Sequence, residues 1–295
     1  MVIGHVEQLW RYPVKSMAGE TLDSAQIVVE GMAGDRCWAV IDTDRDDICG
    51  AKRWPELLNM KASMGADFHP EAFIYDEDVP GAGIELPDGE AFNTRDSDAA
   101  ERLSLSLGKP ARFAPLAPPE RGEHYRLSHP PTEEEFKAQM GVGANEDLPD
   151  FSSIPEEIML QLIEHATPMG TYHDVFPLHL LTTNSLDFLS QSGGVNAVVE
   201  RFRPSMLVRP TESSPEMTEN SWIGKSLQVG ECLLHVVSRT VRCSMPARPQ
   251  HWAGLDAQGK ITRALIEHCD RHLGVNVRVT KPGIIRANDE IQLIE

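Results

Sequence analysis

Short apolar runs separated by glycine and proline recur along this sequence, and they constrain the fold more than any other feature. In the first part of the chain, runs typical of β-strands cover residues 3–10, 25–30 and 36–42. Strands at this spacing predict a small antiparallel sheet or barrel. Further strands are predicted in the second part, at residues 178–183, 203–208, 226–237, 275–280 and 284–294. We therefore expect an α+β protein in which strands dominate.

Helices are predicted between and after these strands. Residues 97–108 fit a helix that ends at Gly108, and Thr132 with Glu135 forms a capping box for a helix that includes Met140. The other predicted helices are residues 156–165, a helix capped by Asn184 or Ser185, residues 195–202 and residues 261–273.

A proline-rich segment divides the sequence. Residues 109–131 contain six prolines, several charges and no helical period, which predicts an irregular connection. A chain of 295 residues is long enough for two domains of ordinary size. We predict one domain over residues 1–118 and a second over residues 119–295.

The composition excludes several classes of partner and location. With 45 acidic and 27 basic residues the net charge is -18, so nucleic acid and anionic membranes are not expected partners. No run of about 18 apolar residues exists, and the first residues lack the pattern of a signal peptide. Five scattered cysteines suit free thiols in a reducing cytoplasm. We expect a cytoplasmic protein.

Cys243 is the candidate functional atom, because it follows an apolar run and lies beside Arg242. Positive charge next to a thiol favours the thiolate, which is the form that binds soft metals or attacks electrophiles. The alternative interpretation is a small buried hydrophobic residue. Elsewhere, Lys15 and Ser16 offer a cation and a hydroxyl after Pro13, or simply a solvated loop, and Arg203 stands where a helix meets a strand.

A series of short motifs runs through nearly the whole chain. They are Tyr12-Pro13-Val14-Lys15-Ser16, Gly34-Asp35-Arg36-Cys37-Trp38, Arg53-Trp54-Pro55, Asp174-Val175-Phe176-Pro177 before His179-Leu180-Leu181, Asn184-Ser185-Leu186, Arg201-Phe202-Arg203-Pro204, Arg242-Cys243 and residues 283–289. In this order the motifs resemble those of proteins with a MOSC domain preceded by its β-barrel partner domain. Within that group the chain is similar to the amidoxime-reducing component family and its bacterial counterparts.

The resemblance implies a β-barrel-rich MOSC fold with a smaller N-terminal β-rich domain, and a bound molybdenum cofactor (Mo-molybdopterin). It implies that Cys243 ligates molybdenum and is catalytic. It also assigns a set of residues to the phosphate and pterin of the cofactor: Lys15, Ser16, Arg36, Arg203, Ser205 and Arg242. Guanidinium and ammonium groups would neutralise a phosphate, and a soft thiolate suits a metal that changes oxidation state. Asp174, in the inferred cleft, is the candidate proton donor or acceptor, or else it orders its loop.

Four positions depart from the family pattern. Ser205 replaces the common asparagine, Thr240 stands where bacterial relatives often have a second cysteine, and Val175-Phe176 replace hydroxyl residues. No iron–sulfur cysteine spacing follows residue 243, so electrons would come from a separate iron–sulfur, flavin or haem protein. His268 and His272 have metal-ligand spacing, but we interpret them as part of a surface helix.

The leading hypothesis is an oxidoreductase that reduces N-hydroxylated or similar small molecules with electrons from that partner. The alternatives are a non-catalytic carrier of the cofactor or of sulfur, and a relative that has lost the cofactor and acts as a binding module.

Overall fold

Strands form most of the regular structure. A computed structural model describes residues 1–65, 68, 73–143 and 146–294. Within these residues the strands are β1 (Val2–Arg11), β2 (Glu20–Leu22), β3 (Ser24–Val28), β4 (Gly31–Met32), β5 (Trp38–Asp42), β6 (Asp47–Cys49), β7 (Lys61–Ser63), β8 (Gly83–Glu85), β9 (Ala91–Asn93), β10 (Ala111–Pro115), β11 (Leu178–Thr182), β12 (Met206–Pro210), β13 (Ser226–Val229), β14 (Cys232–Val241), β15 (His272–Lys281), β16 (Gly283–Arg286) and β17 (Glu290–Ile294).

Seven strands close into a barrel. Their order is β12-β11-β15-β14-β13-β17-β1, and β1 also pairs with β12, which completes the circle. All these pairs are antiparallel except β11 with β12. A closed barrel has no free edge among its members, so the backbone groups of each strand find partners on both sides.

Alternating apolar residues explain why these strands form a barrel. Along β14 the residues Cys232, Leu234 and Val236 are fully buried, while Leu233 and His235 between them are partly exposed. The buried set packs with valines and leucines from the neighbouring strands to fill the interior. Each such side chain stabilises the fold by roughly 1.5–3 kcal/mol when fully buried.

Three small sheets complete the β-structure, in the orders β10-β5-β6, β7-β8-β9 and β16-β3-β4. A second core forms around the first two sheets, with Trp38, Leu57 and Leu103 at its centre. Tyr125 and Tyr172 from later in the chain also belong to this core. The predicted α+β class, with a β-barrel and a smaller β-rich region, is confirmed.

The first strand, β1, belongs to the barrel. The other six barrel strands lie in residues 178–294, the later region of the chain. β1 pairs with β12 through Val6 and Val208, and with β17 through His5 and Glu290. The division into residues 1–118 and 119–295 stays a prediction.

Six α-helices lie in the described residues: α1 (Ala99–Leu107), α2 (Glu133–Met140), α3 (Glu156–Glu164), α4 (Thr183–Gly193), α5 (Val199–Phe202) and α6 (Lys260–Cys269). The end of α1 at Gly108 and the capping box of Thr132 with Glu135 agree with the sequence prediction. The predicted cap of α4 was wrong, because the Thr182 side chain accepts from the Ser185 amide.

Several predicted boundaries were also wrong. The helix predicted over 261–273 ends at Cys269, since Asp270 and Arg271 take left-handed backbone angles and His272 begins β15. The predicted strand 226–237 is a hairpin of β13 and β14 that turns at Gly230. The proline-rich segment 109–131 includes β10, an edge strand on which Pro115 is tolerated.

In the part of the chain that the structure describes, every helix is too short or too polar to cross a lipid bilayer.

Candidate functional site

Tyr12 brings together two of the predicted arginines. It follows directly after β1, and its buried ring lies 4.8 Å from Cζ of Arg36 and 4.3 Å from Cζ of Arg203. Guanidinium groups at such distances are attracted by the π face of the ring. The Tyr12 hydroxyl donates to the Pro204 carbonyl at 3.2 Å. One aromatic ring thus joins an arginine from residues 1–118 to an arginine from residues 119–295.

Asp35 contacts both Tyr12 and Arg36 and so fixes their relative position. Its carboxylate is almost fully buried, accepts the Tyr12 amide at 2.7 Å and pairs with the Arg36 guanidinium. Burial raises the pKa of Asp35, although Arg36 opposes that shift. His173 lies 3.9 Å from the same carboxylate, and its Nε2 has no hydrogen-bond partner among the described residues. Burial and the nearby cations hold the pKa of His173 well below its usual value, so this ring is neutral.

Lys15 and Lys52 share one carboxylate. Nζ of Lys15 donates to Oδ1 of Asp174 at 2.6 Å and to the carbonyl of Tyr172 at 2.9 Å. Nζ of Lys52 lies 3.7 Å from Oδ2 of Asp174. The Lys15 side chain is only 11% exposed, whereas that of Asp174 is 56% exposed, so the carboxylate lies on the solvent side of the buried ammonium.

These contacts fix the ionisation of Asp174. Desolvation opposes the charge, but Lys15 and Lys52 outweigh it and hold the pKa of Asp174 well below its usual value. Burial lowers the pKa of Lys15, while Asp174 opposes this. Asp174 is therefore an ionised partner of two cations at neutral pH, which makes it a poor proton donor there. Its predicted role as a proton donor or acceptor stays a prediction.

Ser16 connects the Lys15 segment to the turn that carries Lys52. Its buried hydroxyl accepts the Ala51 amide at 2.8 Å. A side chain at Gly50 would place Cβ only 3.1 Å from Oγ of Ser16 and 3.7 Å from Cε of Lys15. The small residue at position 50 therefore allows the two segments to approach closely.

Three of the predicted cofactor-binding residues have left-handed backbone angles. The φ values are 73° for Ser16, 48° for Arg36 and 53° for Arg203. Residues other than glycine pay an energetic cost in this region, and such residues concentrate at functional sites. Burial also lowers the pKa of Arg203 to about 10, which leaves it charged at neutral pH.

Cys243 follows β14 and is the one cysteine of the five that is partly exposed. Asp174 is the main cause that raises the pKa of Lys52 against the effect of burial, and the nearby Cys243 is a smaller cause. Cys243 is thus within electrostatic range of the ammonium that also contacts Asp174. The predicted free state of all five thiols is confirmed.

Arg201 anchors the segment that follows Cys243. The side chain is buried, and its guanidinium donates to three carbonyls, those of Pro246 at 3.1 Å, Arg248 at 3.3 Å and Asp256 at 2.9 Å. A buried guanidinium that bonds to carbonyls fixes the path of the backbone it contacts.

The carboxyl end of α2 supports the same segment from another side. Both the amide and the hydroxyl of Ser244 donate to the Gln139 carbonyl, at 3.3 and 2.8 Å. The residue after the candidate metal ligand is therefore held by two hydrogen bonds.

Among the described residues, the side chain of Arg242 contacts residues of the later region. Its Nη2 donates to the Phe202 carbonyl at 2.7 Å, and its Cζ lies 5.4 Å from the Phe202 ring. Nη1 lies 3.5 Å from Nε2 of His179, a ring that burial and Arg242 keep neutral by holding its pKa well below the usual value. Nε of Arg242 is buried without a hydrogen-bond partner among the described residues. One guanidinium donor is thus left for a ligand.

Ser205 forms its hydrogen bonds among the described residues with backbone groups of the barrel. Its Oγ accepts the His179 amide at 3.3 Å and its carbonyl accepts the Trp10 amide at 3.0 Å, which joins β11 to β1. Two other departures from the family pattern are also engaged within the protein. Thr240 donates to Asn276 at 3.0 Å, and the Phe176 ring lies 5.5 Å from Cζ of Arg278.

Sequence reasoning missed the roles of Tyr12, Asp35, Lys52 and Arg201 in this site. Tyr12, Asp35 and Arg201 stand inside motifs that were recognised, and Lys52 directly precedes another. Their position next to assigned residues was the available signal. What the sequence could not show was which atoms each side chain would contact.

The interpretation of His268 and His272 as parts of one surface helix was wrong for His272. His268 is exposed at the end of α6, while His272 is buried in β15. Within the described ranges, no group of three or more His, Cys, Asp or Glu side chains is arranged to hold a metal ion.

Two solved structures of bacterial proteins match this chain. The YuaD protein from Bacillus subtilis is 12% identical, with a TM-score of 0.44 over 99% of this chain and 95% of its own. YiiM from Geobacillus stearothermophilus is 15% identical, with a TM-score of 0.32 over 41% of this chain and 55% of its own.

Among curated proteins, the human mitochondrial amidoxime-reducing component 1 is 23% identical over 245 residues, which are 82% of this chain. The match spans 65% of the length of that relative. Two family models also match the chain. The MOSC N-terminal beta barrel domain matches residues 3–100, and the MOSC domain matches residues 169–292. The chain therefore belongs to the MOSC-domain proteins that carry the MOSC N-terminal beta barrel domain.

Proposed function

We propose that this protein binds molybdenum cofactor between two groups of cations and Cys243. The first group is Arg36 and Arg203, which contact the Tyr12 ring, and the second is Lys15 and Lys52. We further propose that it is an oxidoreductase that reduces N-hydroxylated or similar small molecules. The curated relative that it resembles is named as an amidoxime-reducing component, which supports this reaction class.

The observation that carries the proposal is the convergence of charge from both regions of the chain. Arg36 and Arg203 meet on the Tyr12 ring, and Lys15 reaches Asp174 across 159 residues of sequence. The protein as a whole has a net charge of -18, so a concentration of cations at one place needs a local reason. A phosphate-bearing ligand provides one, because guanidinium and ammonium groups bind phosphate through charge-assisted hydrogen bonds.

The residues present fit the cofactor. Cys243 offers a soft sulfur ligand that is open to solvent, as a thiolate ligand for molybdenum requires. Nε of Arg242 is a buried donor without a protein partner among the described residues. The cations Lys15, Lys52, Arg36 and Arg203 would hold the phosphate and pterin, with Ser16 fixing the backbone between them.

Several residues hold the binding residues in place and do not themselves react. Tyr12 orients both arginines, Arg201 holds the segment after Cys243, and Asp174 keeps two ammonium groups close together. When bound, the cofactor supplies two-electron chemistry that removes oxygen from the substrate. Because Asp174 is ionised, a proton consumed in such a reaction would come from solvent or from the substrate rather than from this carboxyl group.

Electrons would come from a separate electron-transfer protein with an iron–sulfur, flavin or haem group. A non-catalytic carrier of the cofactor or of sulfur is the second candidate, favoured by the partial exposure of Cys243 and Asp174.

The test is the molybdenum and molybdopterin content of the purified protein. Cys243→Ser should lose most of the molybdenum, while the control Cys232→Ala, at the opposite end of β14, should keep it. Equal molybdenum in the parent and in Cys243→Ser would contradict the assignment of the metal ligand. Turnover of an N-hydroxylated substrate with an artificial electron donor separates the enzyme from the carrier, since a carrier would hold the cofactor without turnover.

A further inference from the structure

Two aspartates of the site are held in different ways. Asp35 is 1% exposed and is fixed by the Tyr12 amide and by Arg36. Asp174 is half exposed, and its one hydrogen bond among the described residues comes from Lys15. Among the described residues, no backbone amide donates a hydrogen bond to the Asp174 carboxylate. Its side chain can therefore turn away once the two lysines have another anion.

The two ammonium groups approach this carboxylate separately. Lys15 contacts Oδ1 at 2.6 Å and Lys52 lies 3.7 Å from Oδ2. The charge of one carboxylate is thus divided between two cations, of which Lys15 is almost buried. Two neighbouring cations are better matched by a doubly charged anion than by a singly charged one.

The backbone keeps the lysines in this arrangement without help from Asp174. The Ser16 hydroxyl accepts the Ala51 amide at 2.8 Å, and so the residues next to Lys15 and Lys52 are bonded to each other. Gly50 permits the close approach of the two segments. The pair of ammonium groups is therefore prepared before a ligand arrives.

We propose that Lys52 and Lys15 form a two-ammonium seat for a phosphate dianion, and that Asp174 is the displaceable counter-ion of this seat when no ligand is bound. The inference rests on the proposed function, in which the phosphate belongs to the cofactor, and it adds Lys52 as a binding residue and Asp174 as a competitor. Binding exchanges one anion for another: the phosphate accepts the lysine hydrogen bonds and the Asp174 carboxylate returns to water.

The experiment measures the binding of inorganic phosphate to the full chain purified free of molybdopterin, by calorimetric titration at pH 7.5 and low ionic strength. Asp174→Asn should bind phosphate about two- to fivefold more tightly than the parent, as expected when a partly exposed carboxylate no longer competes for the lysines. Lys52→Gln should bind more weakly, and Lys52→Arg should recover part of the affinity. The exposed pair of Lys61 with Glu85, 3.2 Å apart, provides the controls Lys61→Gln and Glu85→Gln, which should leave phosphate affinity unchanged.

Equal or weaker phosphate binding by Asp174→Asn would overturn the counter-ion role and leave the proposed function standing. Unchanged affinity in Lys52→Gln would overturn the two-ammonium seat. Absence of phosphate binding in the parent and in all variants would overturn the inference together with the phosphate part of the proposed function. Asp174→Ala serves as a second variant if Asp174→Asn is poorly folded, since both remove the competing charge.

Discussion

Arg203 lies over the ring of Tyr12, with 4.3 Å between Cζ and the ring centroid, and the Tyr12 hydroxyl donates to the carbonyl of the next residue, Pro204. The aromatic face and the hydroxyl thus both engage the same short segment of the later region. Since Arg36 also stacks on this ring, Tyr12 sets the position of two cations at once.

Substitution of Tyr12 separates the contribution of its ring from that of its hydroxyl. Tyr12→Phe keeps the ring and should lower the free energy of unfolding by about 1 kcal/mol, the value of one hydrogen bond. Tyr12→Leu also removes the platform for the guanidinium groups and should cost about 2–4 kcal/mol. Urea unfolding measures both. Molybdopterin content should fall more in Tyr12→Leu than in Tyr12→Phe, and equal retention would contradict the positioning role.

Removal of the Arg201 side chain should loosen the segment that follows Cys243. Arg201→Met leaves three carbonyls without their donor and should lower the free energy of unfolding by about 2–4 kcal/mol. Amide hydrogen exchange across residues 244–256 should become faster, because these residues lose their anchor. Arg209→Met is the control, since that exposed side chain pairs with Glu7 at 3.2 Å and its loss should cost less than about 1 kcal/mol. Unchanged exchange in Arg201→Met would refute the anchoring role.

Ser16 allows a test of backbone strain next to the cations. Ser16→Ala removes the acceptor of the buried Ala51 amide and should cost about 1–3 kcal/mol. Ser16→Gly loses the same bond but relieves the left-handed backbone angle of 73°, so it should be less destabilising than Ser16→Ala by about 1 kcal/mol. Thermal unfolding of the two variants gives the difference. The opposite order would show that relief of the left-handed backbone angle does not govern stability at this position, because both variants lose the same hydroxyl.

Stability should fall in mild acid because His173 is buried in its neutral form. The pKa of His173 is well below 6.5 in the folded state, so the unfolded chain binds one more proton in the window just below pH 6.5. Stability therefore rises with pH inside this window and decreases as pH falls below 6.5, by up to about 1.4 kcal/mol per pH unit for this group. Unfolding free energies measured from pH 7.5 to pH 5 check the slope. In His173→Gln the slope of unfolding free energy against pH should decrease by the contribution of one proton. His268→Gln, at the exposed end of α6, should leave the slope unchanged.

The sequence predicted the class of fold because local patterns decide it. Alternation of apolar residues identified most strands of the barrel, and glycine with proline marked the turns. The hairpin of β13 and β14 was read as one strand because both halves are apolar and only Gly230 and Glu231 separate them. The end of α6 was placed too late because left-handed angles at Asp270 and Arg271 leave no strong mark in sequence.

The candidate site residues were predicted from sequence motifs and not from periodicity. The motifs placed Lys15, Arg36, Arg203 and Arg242 near one another, but they could not show that Ser205 would be occupied within the barrel. Lys52 was missed because its role depends on Asp174, which lies more than a hundred residues later in the chain. Contacts of this kind come from tertiary structure, which periodicity and spacing do not encode.

The pairing of β1 with β12 and β17 determines when the barrel can be completed during synthesis. Of the seven barrel strands β1 is synthesised first and β17 last, so the ring of strands can close only after Glu290–Ile294 has been made. Met1 and Leu293 are hydrogen-bonded at 3.4 Å. A short linker between Met1 and Leu293, with a new opening at the turn between β13 and β14, would give a permuted polypeptide in which β13 is synthesised last and closes the ring instead of β17.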